Sequence, residues 1–474
     1  MIIYFNIIFL STQIFTTPAP VTAAIQYTPY VDLCDYVTAR NESRIELFKK
    51  NQAHAGFFTV NKKFDTNLFS VYVKSINSSE KTPLIVWIQG QPGISALYAI
   101  FAQHGPHHVD EDFRPTERLY AWTKHYDVLY LDNMIFTGYS YSKHPSNIIV
   151  YLQDIGRYLY EALFQFYQIF PEVASKHLYL AGEFYSGKYL LLLGNYIHSR
   201  NPLSHVKMNL HGIYIGSGFT DPVNMMDYSS LFYQIGIIDY DKMKDINNLE
   251  STIVKGIFSK RYDTARQQFD SVWVELFNAG FHSPMDFTRL DLDYDTNVID
   301  FIQSDVFRKT FGLVDHPFHN FFNLSVFLDS RNNTIQLMHL VEEDALKSAV
   351  KYLPMLLDHY RILFYGAQFD LMVPYVHVSN FLRKLEWKGA IDYYNMVKSP
   401  RNKWYVGDEM AGYWKTVGNL TEVMVRNSGH MIDVSQPKWA INLLRSFISN
   451  KFHSASEQVE SSTPTVIMDL SRHV

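Results

Sequence analysis

The chain has 474 residues, 47% of them apolar and 16% aromatic, with a formal net charge of −5 and a single cysteine, Cys34. That length can bury a large core, in one α/β domain carrying an insertion or in two domains. The dispersed charges give no electrostatic case for nucleic acid or an anionic membrane, and one cysteine excludes an intramolecular disulfide.

The chain opens on a short apolar run, Ile2 to Leu10, followed by polar residues and a small-residue site at Val21-Thr22-Ala23. This is the pattern of a secretory signal peptide spanning 1–23, although its first residues lack Lys and Arg. No later segment reaches the ~18 apolar residues that a spanning helix needs. The expected location is therefore extracellular, with a lysosome-like lumen as the alternative. Sequons at Asn41, Asn77, Asn323, Asn332 and Asn419 are candidate glycan sites on surface loops. Cys34 reads as a buried small side chain or as an unpaired thiol able to join a partner.

Short apolar runs then alternate with longer helical patterns. Strands are expected at Leu84 to Ile88, Val128 to Leu131, His177 to Ala181, Gly212 to Ile215, Arg361 to Tyr365 and Val423 to Arg426. Helices are expected at Leu152 to Phe170, Lys188 to Ser199, Asp344 to His359 and Pro437 to Ile448. Buried strands separated by helices predict an α/β fold with a mostly parallel sheet covered on both faces. Residues 225–335 break the rhythm, helical and aromatic at first and then loop-like with many Asp and Asn. They read as a cap inserted between two parts of one domain, 24–224 and 336–453. Residues 454–474, rich in Ser, Thr and Glu, read as a disordered tail.

Three segments carry chemistry. The strand ending at Ala181 runs through Gly182-Glu-Phe-Tyr-Ser-Gly187 into a helix, the setting of a nucleophile elbow, and its middle position is Phe184 rather than Ser. Asp370 follows a strand in Tyr365-Gly-Ala-Gln-Phe-Asp370, and His430 follows another in Arg426-Asn-Ser-Gly-His430. The order nucleophile, acid, histidine is that of α/β-hydrolases. A loop after the first strand, Gln89-Gly-Gln-Pro-Gly93, can aim backbone N–H groups at an oxyanion.

Collinear stretches over nearly all of the mature chain resemble the serine carboxypeptidases, most closely their vitellogenic-like animal branch. They include Ala55 to Asn61, Pro83 to Ser95, Gln103 to Pro106, Tyr130 to Asn133, Ala181 to Tyr189, Gly216 to Pro222, Gly366 to Asp370 and Gly418 to Thr421. The resemblance implies an α/β-hydrolase fold with a helical cap and descent from enzymes that remove C-terminal residues. It implies no metal and no cofactor. It aligns Asp370 and His430 with the catalytic acid and base, and Gln89 and Glu183 with residues that hold the peptide carboxylate. Gly90 and Gln91 fall in the oxyanion loop, and Tyr185 falls at the residue whose N–H points into the oxyanion hole. Departures gather in these segments. Phe184 stands for the serine, Gln91 for a glycine, Gln103 for a glutamate, and Asp433 for an uncharged residue. A bulky residue at an elbow is strained, so the turn is expected to relax or the ring to fill the S1 pocket.

The expected function is that of a secreted, catalytically inactive relative that binds a peptide or protein ligand. One alternative is an active carboxypeptidase with a substitute nucleophile, Ser186 or Ser95. The other is a structural or storage glycoprotein. The sequence leaves a homodimer open.

Overall fold

The computed structural model describes residues 23–48, 50–90, 92–135, 137–144, 151–280, 283–289, 295–319 and 344–452. Residues 1–22 of the expected signal segment 1–23, the tail 454–474, Gln91, Asn323 and Asn332 lie outside them.

The sheet is built from β1 (Ala53–Asn61), β2 (Thr66–Val73), β3 (Leu84–Ile88), β4 (Asp127–Leu131), β5 (Leu178–Glu183), β6 (Leu210–Gly216), β7 (Arg361–Ala367), β8 (Asn402–Val406), β9 (Glu409–Val417) and β10 (Leu420–Val425). Their order across the sheet is β1-β2-β4-β3-β5-β6-β7-β10-β9-β8. The run β4-β3-β5-β6-β7-β10 is parallel, and antiparallel pairs flank it on both sides. This agrees with the α/β reading.

Apolar residues at every position of β3 serve two cores at once, because successive side chains point to opposite faces. Leu84, Val86 and Ile88 enter one core with α1 (Leu152–Ile169) and α2 (Ser186–Arg200). Ile85 and Trp87 enter the other core, shared with Trp439, Leu443 and Phe447 of the helix Pro437–Ser449.

Between β6 and β7 the chain adds α3 (Tyr228–Gln234), α4 (Tyr240–Phe258), α5 (Tyr262–Asn278), α6 (Thr296–Gln303) and α7 (Asp305–Thr310). Asp239, Asp295 and Ser304 cap α4, α6 and α7 through side-chain hydrogen bonds to backbone N–H groups. The stretch expected to be loop-like thus carries two helices, started by Asp295 and Ser304.

Three further expectations need correction. The hairpins β1–β2 and β9–β8 were not anticipated. β1 and β2 are buried on both faces for most of their length, so the alternation that marks a hairpin strand is missing. The helix expected over Asp344 to His359 is a short α8 (Leu353–His359) preceded by a 3₁₀ turn. Pro354 sits in the first turn of α8, where its missing N–H costs nothing, and in the middle of a longer helix it would break the bonding. Cys34 is exposed, at the left-handed C-cap of the helix Tyr27–Leu33, which overturns the buried reading and leaves that of an unpaired thiol.

Buried charge also fixes the sheet. Lys176 Nζ meets Asp127 Oδ2 at 2.8 Å with both side chains almost wholly buried. The carboxylate also accepts from Tyr72, Ser78 and the Ser75 backbone N–H, which leaves neither charge unpaired.

Candidate functional site

Every element of the site hangs from the carboxyl end of a central strand. β5 turns into α2 through Phe184, whose φ is +53°. Side chains rarely adopt this left-handed geometry, which costs roughly 1–2 kcal/mol. The surroundings impose it. A Cβ on Gly182 would lie 2.3 Å from Ser186 Oγ and 2.4 Å from the Ile88 carbonyl oxygen, and one on Gly187 would lie 2.7 Å from Thr220 Oγ1. Phe184 N–H donates to the Gly216 carbonyl (2.9 Å), and the Phe184 carbonyl accepts from Gly187 and Phe219 N–H. The expected relaxation of the turn does not occur.

The phenyl ring meets the imidazole of His430 edge to face, with centroids 5.7 Å apart. His430 follows β10, and its Nδ1 lies 2.8 Å from Asp370 Oδ2, both side chains fully buried. Asp370 follows β7, and its other oxygen accepts from Val373 N–H at 3.0 Å. The carboxylate therefore fixes the imidazole, the orienting role of an acid in a triad. The imidazole faces a hydrocarbon.

Phe184 also lines a largely apolar recess with Tyr185, Phe219 and the α5 residues Phe269, Trp273 and Phe277. Helix α5 thus lies over the elbow, and the partly buried ring borders this recess rather than filling it.

Gln89 and Glu183 also come together. Glu183 Oε1 accepts from Gln89 Nε2 (2.7 Å) and from Gln103 Nε2 (2.8 Å). Gln89 Oε1 in turn accepts from Trp87 Nε1 at 2.9 Å, and the Gln89 carbonyl accepts from Asn133 Nδ2. Gly90 leaves no room for a side chain, since its Cβ would fall 1.5 Å from the Glu183 carbonyl oxygen. That close approach clamps the loop onto the elbow. Burial pushes the Glu183 carboxyl up from its ordinary value, partly offset by the charge of His430 and the two amide donors. Asp433, one turn beyond His430, accepts from Trp122 Nε1 at 2.9 Å. Burial, reinforced by the Glu183 charge, raises it to about 7.

Tyr185 is buried below the apex, and Lys188 Nζ lies 4.3 Å from its ring centroid. That ammonium donates to the Asp344 and Ala345 carbonyls, tying α2 to the chain that leads into α8. Burial lowers Lys188 to about 7, against the opposing charges of Asp344 and Asp221. Sequence reasoning did not single out Lys188, Trp87 or Trp122. Trp87 carried a signal, because it lies two residues before Gln89, which directly follows the same strand.

Both alternative nucleophiles already donate hydrogen bonds. Ser186 is fully buried and donates to the Glu183 carbonyl at 2.7 Å. Ser95 donates to Asp132 Oδ1 at 2.8 Å and caps the following helix. Of the sequons, Asn41 and Asn77 are exposed. Asn419 instead spends its Nδ2 on the Leu357 carbonyl, at 2.8 Å.

A mostly parallel sheet with an elbow, an acid and a histidine after β5, β7 and β10 is an α/β-hydrolase. Within that class the chain belongs to the serine carboxypeptidase family, whose profile matches residues 45–309 and 320–450. It is 33% identical over 443 residues to the venom serine carboxypeptidase of Apis mellifera, covering 90% of each chain. It is 31% identical to the vitellogenic carboxypeptidase of Aedes aegypti, covering 87% of each. It is 30% identical to a probable serine carboxypeptidase, CPVL, of Homo sapiens, covering 90% of this chain and 89% of the relative. Among solved structures, a prohormone-processing carboxypeptidase from Saccharomyces cerevisiae superposes with a TM-score of 0.74 at 21% identity. That match covers 87% of this chain and 96% of the other. It bears on the fold alone.

Proposed function

We propose that this chain is a secreted, catalytically silent serine carboxypeptidase relative that retains the cleft as a binding site for a peptide or protein. The observation that carries the reading is the Phe184 ring, held at the apex of an intact elbow against an intact His430–Asp370 pair. A ring without a lone pair cannot attack a carbonyl, and losing the serine of subtilisin costs roughly 10⁶-fold in kcat. Ser186 and Ser95 are both bonded elsewhere, which weighs against a substitute nucleophile. Gln89, Glu183 and Gln103 form a buried amide–carboxyl cluster suited to hydrogen-bonding a chain end. The relative named for venom supports an extracellular setting, and exposed Asn41 and Asn77 are the favoured glycan positions.

Fluorophosphonate labelling of the purified protein tests the reading. No labelling and no release of C-terminal residues from blocked dipeptides is expected. Labelling abolished by His430→Ala would refute it.

A further inference from the structure

A second surface stands apart from the cleft. The helix Ala390–Tyr394 and the turn after it project three aliphatic side chains into solvent. Ile391 is 82% exposed, Met396 84% and Val397 90%. The turn is firm, since Ser399 N–H donates to the Asn395 carbonyl at 2.8 Å and Val397 and Lys398 N–H both donate to Asn395 Oδ1. Holding such tips in water forfeits their burial, and soluble proteins rarely cluster them without use.

The charge around the tips is one-sided. Arg383, Lys384 and Lys388 precede them and Lys398, Arg401 and Lys403 follow, all six exposed. Residues 383–403 contain two carboxylates, Glu386 and Asp392, in a chain whose formal net charge is −5. Lys388 pairs with Asp358 and Lys398 with Asp392, both at the surface, where such pairs hold a lysine only weakly. The whole-chain charge, which argued against anionic surfaces, averages this segment away.

We infer that residues 383–403 form a docking surface for an anionic lipid membrane, with Ile391, Met396 and Val397 entering the headgroup–acyl boundary and the cations on the headgroups. Protruding tips ringed by cations suit a deformable charged surface. A protein partner would call for a broad, partly buried apolar core. The inference is independent of the cleft. Among the described residues no helix is long and apolar enough to cross a membrane, so the attachment is peripheral and reversible.

Flotation of the full chain with vesicles tests it. Vesicles of phosphatidylcholine with about one third phosphatidylserine should carry the protein at 50 mM salt. Pure phosphatidylcholine should carry much less, and 300 mM salt should release most of it. The Ile391→Ser, Met396→Ser, Val397→Ser triple variant should lose flotation with an unchanged Tm. Lys388→Glu with Lys398→Glu should weaken it at least 10-fold, about five-fold for each lost cation. No flotation at low salt, or a triple variant that floats as well as the native chain, overturns the inference. So does binding that ignores both lipid charge and salt.

Discussion

Phe184→Ser places a hydroxyl at an apex whose backbone already has φ +53°, opposite a His430 held by Asp370 at 2.8 Å. If the strand ends are in register, the gain has a ceiling near 10⁶-fold in kcat, about 8 kcal/mol of barrier. The cost to the fold is small. Fully burying a phenylalanine contributes roughly 1.5–3 kcal/mol, and the ring of Phe184 is only partly buried, so about 1–2 kcal/mol is lost. A domain with roughly 5–15 kcal/mol of stability survives that. The assay is fluorophosphonate labelling together with release of C-terminal residues from blocked dipeptides. Adding Asp370→Asn should lower any recovered rate by about 10⁴-fold, as the equivalent change does in a trypsin-like triad. A variant with near-native Tm that neither labels nor turns over would refute the claim that only the side chain at 184 is missing.

Burial keeps Asp433 protonated up to about 7, whereas the unfolded chain ionises it near ~3.9. The folded state therefore binds more protons between these values, and the stability Asp433 contributes is full below pH 4 and lost as pH rises through 7. Asp433→Asn should shrink the fall in stability between pH 5 and pH 8, by at most roughly 3 kcal/mol. Asp132, also raised to about 7 by burial, retains its own share of that fall. An unchanged gap between the two pH values counts against the assignment. Lys176→Met should cost about 3–5 kcal/mol in urea unfolding because Asp127 is left charged and buried, and adding Asp127→Leu should recover most of it. Peptide mapping of secreted protein should find glycan at Asn77 and Asn41 and little at Asn419, whose acceptor nitrogen is bonded to Leu357 and whose partner Thr421 is buried. High occupancy at Asn419 would show that its hydrogen bond yields to the modification.

The parallel strands were legible because burial on two faces leaves unbroken apolar runs, Leu84 to Ile88 above all, and strands β3 to β7 lie within a few residues of their expected bounds. The positions of Asp370, His430 and Phe184 were legible because strand-end loops between such runs fall on one edge of the sheet. What sequence hid was tertiary in origin. The hairpin β1–β2 shows no alternation because neighbouring layers cover both faces. The pairing of Lys176 with Asp127 links residues 49 apart in the chain, and no local pattern announces it. Ile391, Met396 and Val397 read as core by residue type and are exposed by position.

The conformation of the elbow is dictated by its neighbours. The contacts that crowd Gly90, Gly182 and Gly187, and the hydrogen bonds of the Phe184 backbone, hold the apex whatever side chain it carries. Residue 184 is therefore an exchangeable fitting on a fixed mount. A thiol or a carboxylate installed there would inherit the same bearing toward His430, which makes the chain a ready host for a different nucleophile.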